Sequence, residues 1–313
     1  MAATDPNIQY FESIRDRCKS DLPQLASWSG YFNRRHAEFL TYYELMPQKH
    51  WGKVLEIGAG NGFNAAFLSK ISDSVISTDL PDPDATTHTP GLELARNTLK
   101  ALDVHNVEVE AASANDLPYE DNSFDMVFSS HVIEHVPNNA KAIEEIHRVL
   151  KPGGINFMVI PTRTSHFYGI FAYWSHWIPV IFRKLRGKKV GTEAAQASAA
   201  GSSEAAHVST NRGISRFLHP GPHGHTPTFG QELRTWSPRF WRKLVTANGK
   251  WPMKKQATTQ INPLLPLLGE LFPNVAVASH IATRGLERSL GQQRIFFPLG
   301  INTLIITQKP LED

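Results

Sequence analysis

The stretch KVLEIGAGNGFNAAFL, Lys53 to Leu68, passes from an apolar run through glycines at 58, 60 and 62 into a second apolar pattern. Alternate residues without a Cβ let the chain turn sharply after a strand ending at Ile57 and let a ligand approach bare backbone. A helix starting near Gly62 would aim its free amide groups and positive end at the same space. The combination suits a nucleotide-like ligand without naming one. The dinucleotide-binding fingerprint would need glycine where Phe63 stands, and a phosphate-cradling loop would need a lysine and a hydroxyl that GAGNGFNA lacks. Two acids sharpen the choice. Asp79 closes the next strand, where its carboxylate could accept both hydroxyls of a ribose. Glu56, just before the glycines, would repel a pyrophosphate but could help hold an ammonium or an ordered water.

Outward from this stretch, short apolar runs alternate with helical segments. VLEI, VISTD, VEVEA, FDMVFSS and INFMVI are separated by NAAFLSK, GLELARNTLKAL and NNAKAIEEIHRVL, the alternation of a parallel sheet covered on both faces. Lys151–Gly154, KPGG, reads as a tight reversal before a fresh strand, and Glu134 and His135 read as the start of the helix before it. Residues 1–50 read as a helical cover packed over the main domain. After Pro161 the regular pattern fails. The aromatic run HFYGIFAYWSHWIPVIF, 166–182, leads into the basic RKLRGKK, and then into a small, polar segment expected to be a mobile excursion. Order resumes near Arg216. Ser237 and Pro238 make a helix start, and Ile301–Pro310 reads as a closing strand. The expected organisation is a cover over 1–50, a main α/β domain over 51–162 and 213–313, and an aromatic and basic insertion over 163–212.

The 313 residues, 41% of them hydrophobic and 19% charged, can bury a large core. A net charge of +3 with no concentrated basic face argues against nucleic acid as a partner. The single cysteine, Cys18, excludes an intrachain disulfide framework and fits a reducing compartment. The first residues lack the apolar core of a secretory signal, and no run of eighteen apolar residues occurs, so the expected location is cytoplasmic.

VLEIGAGNG, the acidic end of VISTD, NDLPYEDNSFDMVFSSHVIEHV and EIHRVLKPGG together resemble the successive motifs of class I S-adenosylmethionine-dependent methyltransferases, in particular the UbiE-like or methyltransferase type 11 group. The resemblance spans Val54–Gly154. It implies a doubly wound, mostly parallel, seven-stranded Rossmann-like sheet with S-adenosyl-L-methionine as cofactor. By the resemblance, Gly58, Gly60 and Gly62 wrap the methionine part of the cofactor and Glu56 supports the loop. Asp79 binds the ribose with Leu80 beside it, Ser113 and Ala114 flank the adenine, and Ser130 and His131 close the pocket. Two departures stand out: Ser113 occupies a place where many relatives carry an acid, and LPDPDATTHTP after Asp79 is longer than the usual turn. The absence of an NPPY-like tetrad, replaced here by SSHV, argues against the adenine-N6 and glutamine-N5 methylating branches.

Methyl transfer to an alcohol, phenol or amine requires a proton acceptor, and histidine suits that role near neutral pH. His131, at the carboxyl edge of the sheet, is the first candidate, with Glu134 three positions on and within reach if the following helix starts early enough. His135 is a second pocket candidate. In the turn-rich HPGPHGHTPTFGQEL, His223 and His225 are candidates to face the transferred methyl. Their spacing makes no regular metal signature, so no metal is expected. Tyr31 and Phe32 are candidate apolar walls, although ordinary packing is the favoured reading of a lone aromatic. The expected reaction is methylation of oxygen or nitrogen on a small or medium organic acceptor, with a lipid-linked or glycan-like acceptor suggested by the insertion. Residues 167–189 are a candidate peripheral membrane contact, lid or dimer surface. A non-catalytic cofactor-binding scaffold and an NAD-linked oxidoreductase are the alternatives.

Overall fold

The computed structural model describes residues 5–22, 29–81, 91–164, 236–246, 251–259 and 302–311. Two helices, α1 (Pro6–Asp21) and α2 (Ser29–Leu45), precede an alternating series: β1 (Trp51–Ile57), α3 (Phe63–Lys70), β2 (Ser72–Asp79), α4 (Gly91–Ala101), β3 (Val107–Ala111), β4 (Phe124–Ser130), α5 (Asn139–Val149) and β5 (Leu150–Pro161). Helix α6 (Pro238–Val245) and strands β6 (Met253–Thr259) and β7 (Asn302–Gln308) complete the described elements. The seven strands form one mixed sheet in the order β3-β2-β1-β4-β5-β7-β6. Strands β1 to β5 pair in parallel, whereas β7 runs antiparallel between β5 and β6. The winding reverses between β1 and β4, the place where open α/β sheets leave a crevice at their carboxyl edge.

Both faces of the central strands are buried, which explains why those strands read as apolar runs. Val54, Phe128, Phe157 and Ile306 pack on one side with residues of the N-terminal helices, α3 and α4. Their chain neighbours Leu55, Val127, Met158 and Ile305 pack on the other with α5 and α6. This is the period-two alternation of a strand buried on both faces. The N-terminal cover joins the first of these layers. Phe11 meets Phe39, Tyr43 and Phe67 edge-on, at centroid distances of 5.2, 5.3 and 5.3 Å, the geometry that aromatic quadrupoles favour. Arg17 of α1 donates to the carbonyls of Ala101 and Leu102, both at 2.8 Å, and so caps the carboxyl end of α4. Cys18 is buried on the same helix.

Three local expectations need correction. The helix before β5 does not begin at Glu134: Ile133–His135 form a separate 3-10 turn, and α5 starts at Asn139 under an Asn138 cap whose side chain accepts from the Lys141 amide. The KPGG segment is no reversal. Leu150 already pairs with Phe124, Lys151–Gly154 run on as an irregular opening of β5, and Gly153 takes a left-handed φ of 80°. Strand β6 has no counterpart among the expected strands, because MKKQATT lacks apolar alternation; as an edge strand it takes its order from β7. The aromatic and basic run of 166–189 and the loop carrying His223 and His225 lie outside the described residues. Among the described residues, no helix is long and apolar enough to cross a membrane.

The junction of α5, α6 and β6 is sensitive to acid. The His147 imidazole stacks on Trp251 at 3.4 Å and 7°, and burial, helped by the nearby Lys309 ammonium, pushes its pKa down from 6.5 to about 3. The unfolded chain therefore takes up a proton that the folded one refuses, so this contribution is complete above pH 6.5 and is lost as the pH falls toward 3. Urea unfolding followed from pH 7 to pH 5 should show falling stability, and His147→Phe, which keeps a ring on Trp251, should flatten that slope. An unchanged slope would remove His147 as its cause.

Candidate cofactor and acceptor site

The bend after β1 is held by the end of β2. The amides of Gly58 and Ala59 donate to the Thr78 carbonyl at 2.7 and 2.8 Å, and the Gly60 amide donates to Asp79 Oδ2 at 3.0 Å. The other Asp79 oxygen accepts from the Leu80 amide at 2.9 Å, and the Leu80 side chain is exposed. Asp79 thus shapes the loop, and each of its oxygens keeps a lone pair for a ligand hydroxyl.

All three glycines have positive φ, at 92°, 51° and 79°, but their surroundings differ. A Cβ on Gly58 would overlap the Val132 side chain, and one on Gly62 would lie 2.9 Å from the Ala95 carbonyl oxygen of α4. A Cβ on Gly60 would meet none of the described residues within 4 Å. Gly58 and Gly62 therefore serve close packing, whereas Gly60, among the described residues, borders open space at the carboxyl edge. That is the cradle a small ligand needs.

Behind the loop, Glu56 is buried, with 1% of its surface exposed. Ser77 Oγ donates to its Oε2 at 2.5 Å, and Asn64 lies alongside without closing a hydrogen bond of normal geometry on Oε1. Burial pushes the carboxyl up to about 8, with the Asp79 charge adding to the shift and Ser77 and Asn64 opposing it. A buried acid poised in this way gains its charge when a cation arrives.

On the adenine side, Ser113 Oγ accepts from the Asn115 amide at 3.2 Å, closing a small turn beneath which Ala114 is buried. The turn is tied to the far wall by Asn115 Nδ2, which donates to the Asn138 carbonyl at 2.7 Å. That wall follows β4. Ser130 carries a buried hydroxyl with no hydrogen-bond partner among the described residues, and His131 sits at a φ of 59° with its amide bound to the Val159 carbonyl at 2.9 Å. Beyond it, Glu134 is buried with its Oε1 3.9 Å from His131 Nδ1 and 3.9 Å from the half-buried His135 Nε2. Burial raises the Glu134 carboxyl to about 8, against the opposing influence of its own backbone amide and the Arg35 charge. Arg35 comes from α2 and is paired with Glu38 at 2.8 Å.

The structure therefore brings Glu56, the glycines, Asp79, Ser113, Ala114, Ser130, His131 and His135 to one edge of the sheet. Phe32 is fully buried against Phe63, 5.0 Å between ring centroids, and forms a wall behind the loop. Tyr31 belongs to the opening of α2, and its side chain lies outside the description. Glu134 stands out more than sequence spacing alone suggests. Arg35 left no local signal, because its nearness to Glu134 arises only when α2 folds over the sheet. Among the described residues, no group of three or more His, Cys, Asp or Glu side chains is arranged to hold a metal ion.

Residues 55–158 match the methyltransferase domain family. The chain is 28% identical over 184 residues to a demethylmenaquinone methyltransferase from Symbiobacterium thermophilum, covering 55% of this chain and 68% of that one. To the demethylmenaquinone methyltransferase of Staphylococcus aureus it is 32% identical over 146 residues, covering 44% and 55%. The match thus spans about half to two thirds of these relatives' length. In fold it resembles a chain from the complex between the Haloferax volcanii Trm112 methyltransferase activator and a methyltransferase, with a TM-score of 0.51 and 15% identity over 96% of this chain and 99% of that one. It also resembles the cyclase SpnF, with a TM-score of 0.50 and 14% identity over 91% and 83%. A glycine-lined bend at the switch point of a Rossmann-like sheet is the arrangement of a cofactor-binding α/β protein. Over residues 55–158 the chain carries a methyltransferase domain, and it is similar there to demethylmenaquinone methyltransferases.

The three glycines should separate in their effects. Gly62→Ala, with a Cβ against backbone and an unfavourable φ, should cost about 2–4 kcal/mol in urea unfolding. Gly60→Ala, with open space around it, should cost about 1 kcal/mol and leave the fold intact while abolishing S-adenosylhomocysteine binding by calorimetry. Equal stability losses in the two variants would contradict this division of labour.

Proposed function

We propose that the protein transfers a methyl group from S-adenosylmethionine to an oxygen or nitrogen of a small organic acceptor. The observation that carries the reading is the open cradle at Gly60, bonded to Asp79 at the point where the sheet reverses. Gly58, Gly60 and Gly62 take the methionine portion and Asp79 the ribose hydroxyls. Ser113 and Ala114 lie against the adenine. Glu56, uncharged at neutral pH while the cradle holds no cation, provides a negative charge behind the loop once one is bound.

The cofactor supplies a methyl group already activated on a sulfonium. The protein's work is to align the acceptor with it, keep water out and take the acceptor's proton. His131 holds that proton, at the carboxyl end of β4 beside the cradle. The names of the similar proteins favour, among small acceptors, a quinone-type ring in its reduced, hydroxyl-bearing quinol form. A lipid-linked or glycan-like acceptor is the finer reading, and it rests on the composition of residues 166–189. The likeness to a cyclase is a reason to measure turnover as well as binding.

Calorimetry with S-adenosylmethionine, S-adenosylhomocysteine and NAD, followed by labelled-donor turnover against small phenols, quinols and amines, tests the reading. Uptake of NAD alone, or no uptake by folded protein, would overturn it. Asp79→Ala should weaken cofactor binding by about 1–3 kcal/mol through lost hydroxyl contacts and a loosened loop. Affinity for S-adenosylmethionine should rise with pH up to about 8 and then level off, because the bound cation favours ionised Glu56. Glu56→Gln should remove the rise. A wild-type affinity that does not vary between pH 6 and 8 would contradict the role of Glu56.

A further inference from the structure

The segment after β4 holds a buried arrangement of one carboxyl and two imidazoles. Glu134 has 2% of its side chain exposed, and no hydrogen bond among the described residues closes on either carboxyl oxygen. One of those oxygens, Oε1, stands 3.9 Å from both His131 Nδ1 and His135 Nε2. The segment that carries all three is tightly latched. The His131 amide is bound to β5, the His135 amide donates to the Val132 carbonyl at 2.8 Å, and Asn139 Nδ2 donates to the carbonyls of Ile133 and Val136. The two histidines differ in access, with 19% of the His131 side chain exposed and 33% of His135.

From α2, Arg35, itself paired with Glu38 at 2.8 Å, sets a positive charge near Glu134 that opposes the effect of burial. With both imidazoles 3.9 Å from one of its oxygens, the buried carboxyl is close enough for the three groups to titrate together. Separations of 3.9 Å are about 1 Å longer than a hydrogen bond, a gap that ring rotation closes when a ligand fills the pocket.

Resting on the proposed methyl transfer, we propose that Glu134 is the positioning residue of the acceptor side, orienting His131 through Nδ1 and passing the acceptor's proton on to His135 at the surface. The steps balance. The acceptor's lone pair forms the bond to the methyl carbon while the carbon–sulfur pair returns to sulfur, and the acceptor's proton goes to His131 Nε2. The His131 Nδ1 proton moves to Glu134 as the carboxyl proton moves to His135 Nε2, and the His135 imidazolium releases its excess proton to water. The raised carboxyl supports this, since an acid near 8 is matched to histidine closely enough for either to hold the proton.

The test needs no acceptor and no turnover. Histidine-selective nitrogen-15 NMR of the S-adenosylhomocysteine complex, with His131 and His135 assigned by replacing each in turn, should give two inflections for both rings between pH 5 and 9. In Glu134→Gln, which keeps the shape and loses the titration, each ring should show a single inflection lowered by about one pH unit, with a changed proton distribution between the His131 nitrogens. If this variant does not fold, Arg35→Met leaves all three groups in place and should move the upper inflection to higher pH by about one unit. His131 curves that superimpose on wild type, in whichever variant folds, would overturn the proposal. Because the readout is proton occupancy, that failure is distinct from failure of methyl transfer, which the binding and turnover assays measure.

Discussion

Three successive amides of the bend after β1 donate their protons to the last two residues of β2, two to the Thr78 carbonyl and one to the Asp79 carboxylate. The rest of the site depends on this stitch. A chain forced through three positive φ angles would sample many shapes if its amides were left to water; with the adjacent strand accepting them, one shape is selected. The same carboxylate that fixes the loop is left facing the crevice. Assembly of the cradle and placement of Asp79 are therefore one event, and it occurs only when β1 and β2 lie in register, with Ile57 opposite Thr78.

The N-terminal helices act as more than a lid. Their aromatic side chains continue the layer over α3, and Arg17 ties α1 to the end of α4. Through Arg35 the same cover sets a positive charge near Glu134. A segment that supplies none of the family motifs thus adjusts the electrostatics of the acceptor side. Its influence falls on Glu134.

What the sequence made legible follows from where each signal is physically stored. The central strands announce themselves because they are buried on both faces, so apolar residues dominate Val54–Ile57, broken only by Glu56, and run unbroken through Met126–Phe128. The cradle is legible because positive φ and close approach select glycine, and Asp79 because a strand-ending acid beside such a loop is uncommon for packing alone. Strand β6 left no such trace. Lys254, Lys255 and Gln256 are ordered by pairing with β7, from a segment about fifty residues away in the chain. Pro152 and its glycines look like a stop signal, yet the irregular pairing near Phe124 accommodates them inside a strand. The coupling of Glu134 to two histidines depends on burial and on a partner helix, and neither is written in local spacing.

The placement of β7 carries a consequence for how the molecule is made. This strand, Asn302–Gln308, is wedged between β5 and β6, and the Lys309 ammonium just after it donates to the carbonyls of His147 and Leu150 at 3.0 and 2.8 Å, closing off the end of α5. On the ribosome the five parallel strands emerge first, but the open flank of β5 has nothing to pair with until some hundred and forty further residues have been translated. During that interval a long apolar edge is exposed to other nascent chains, the circumstance in which chaperones are most needed. Sheet closure thus waits on a strand made long after the five parallel ones, and the cradle, formed by early residues, is complete before the scaffold that steadies it.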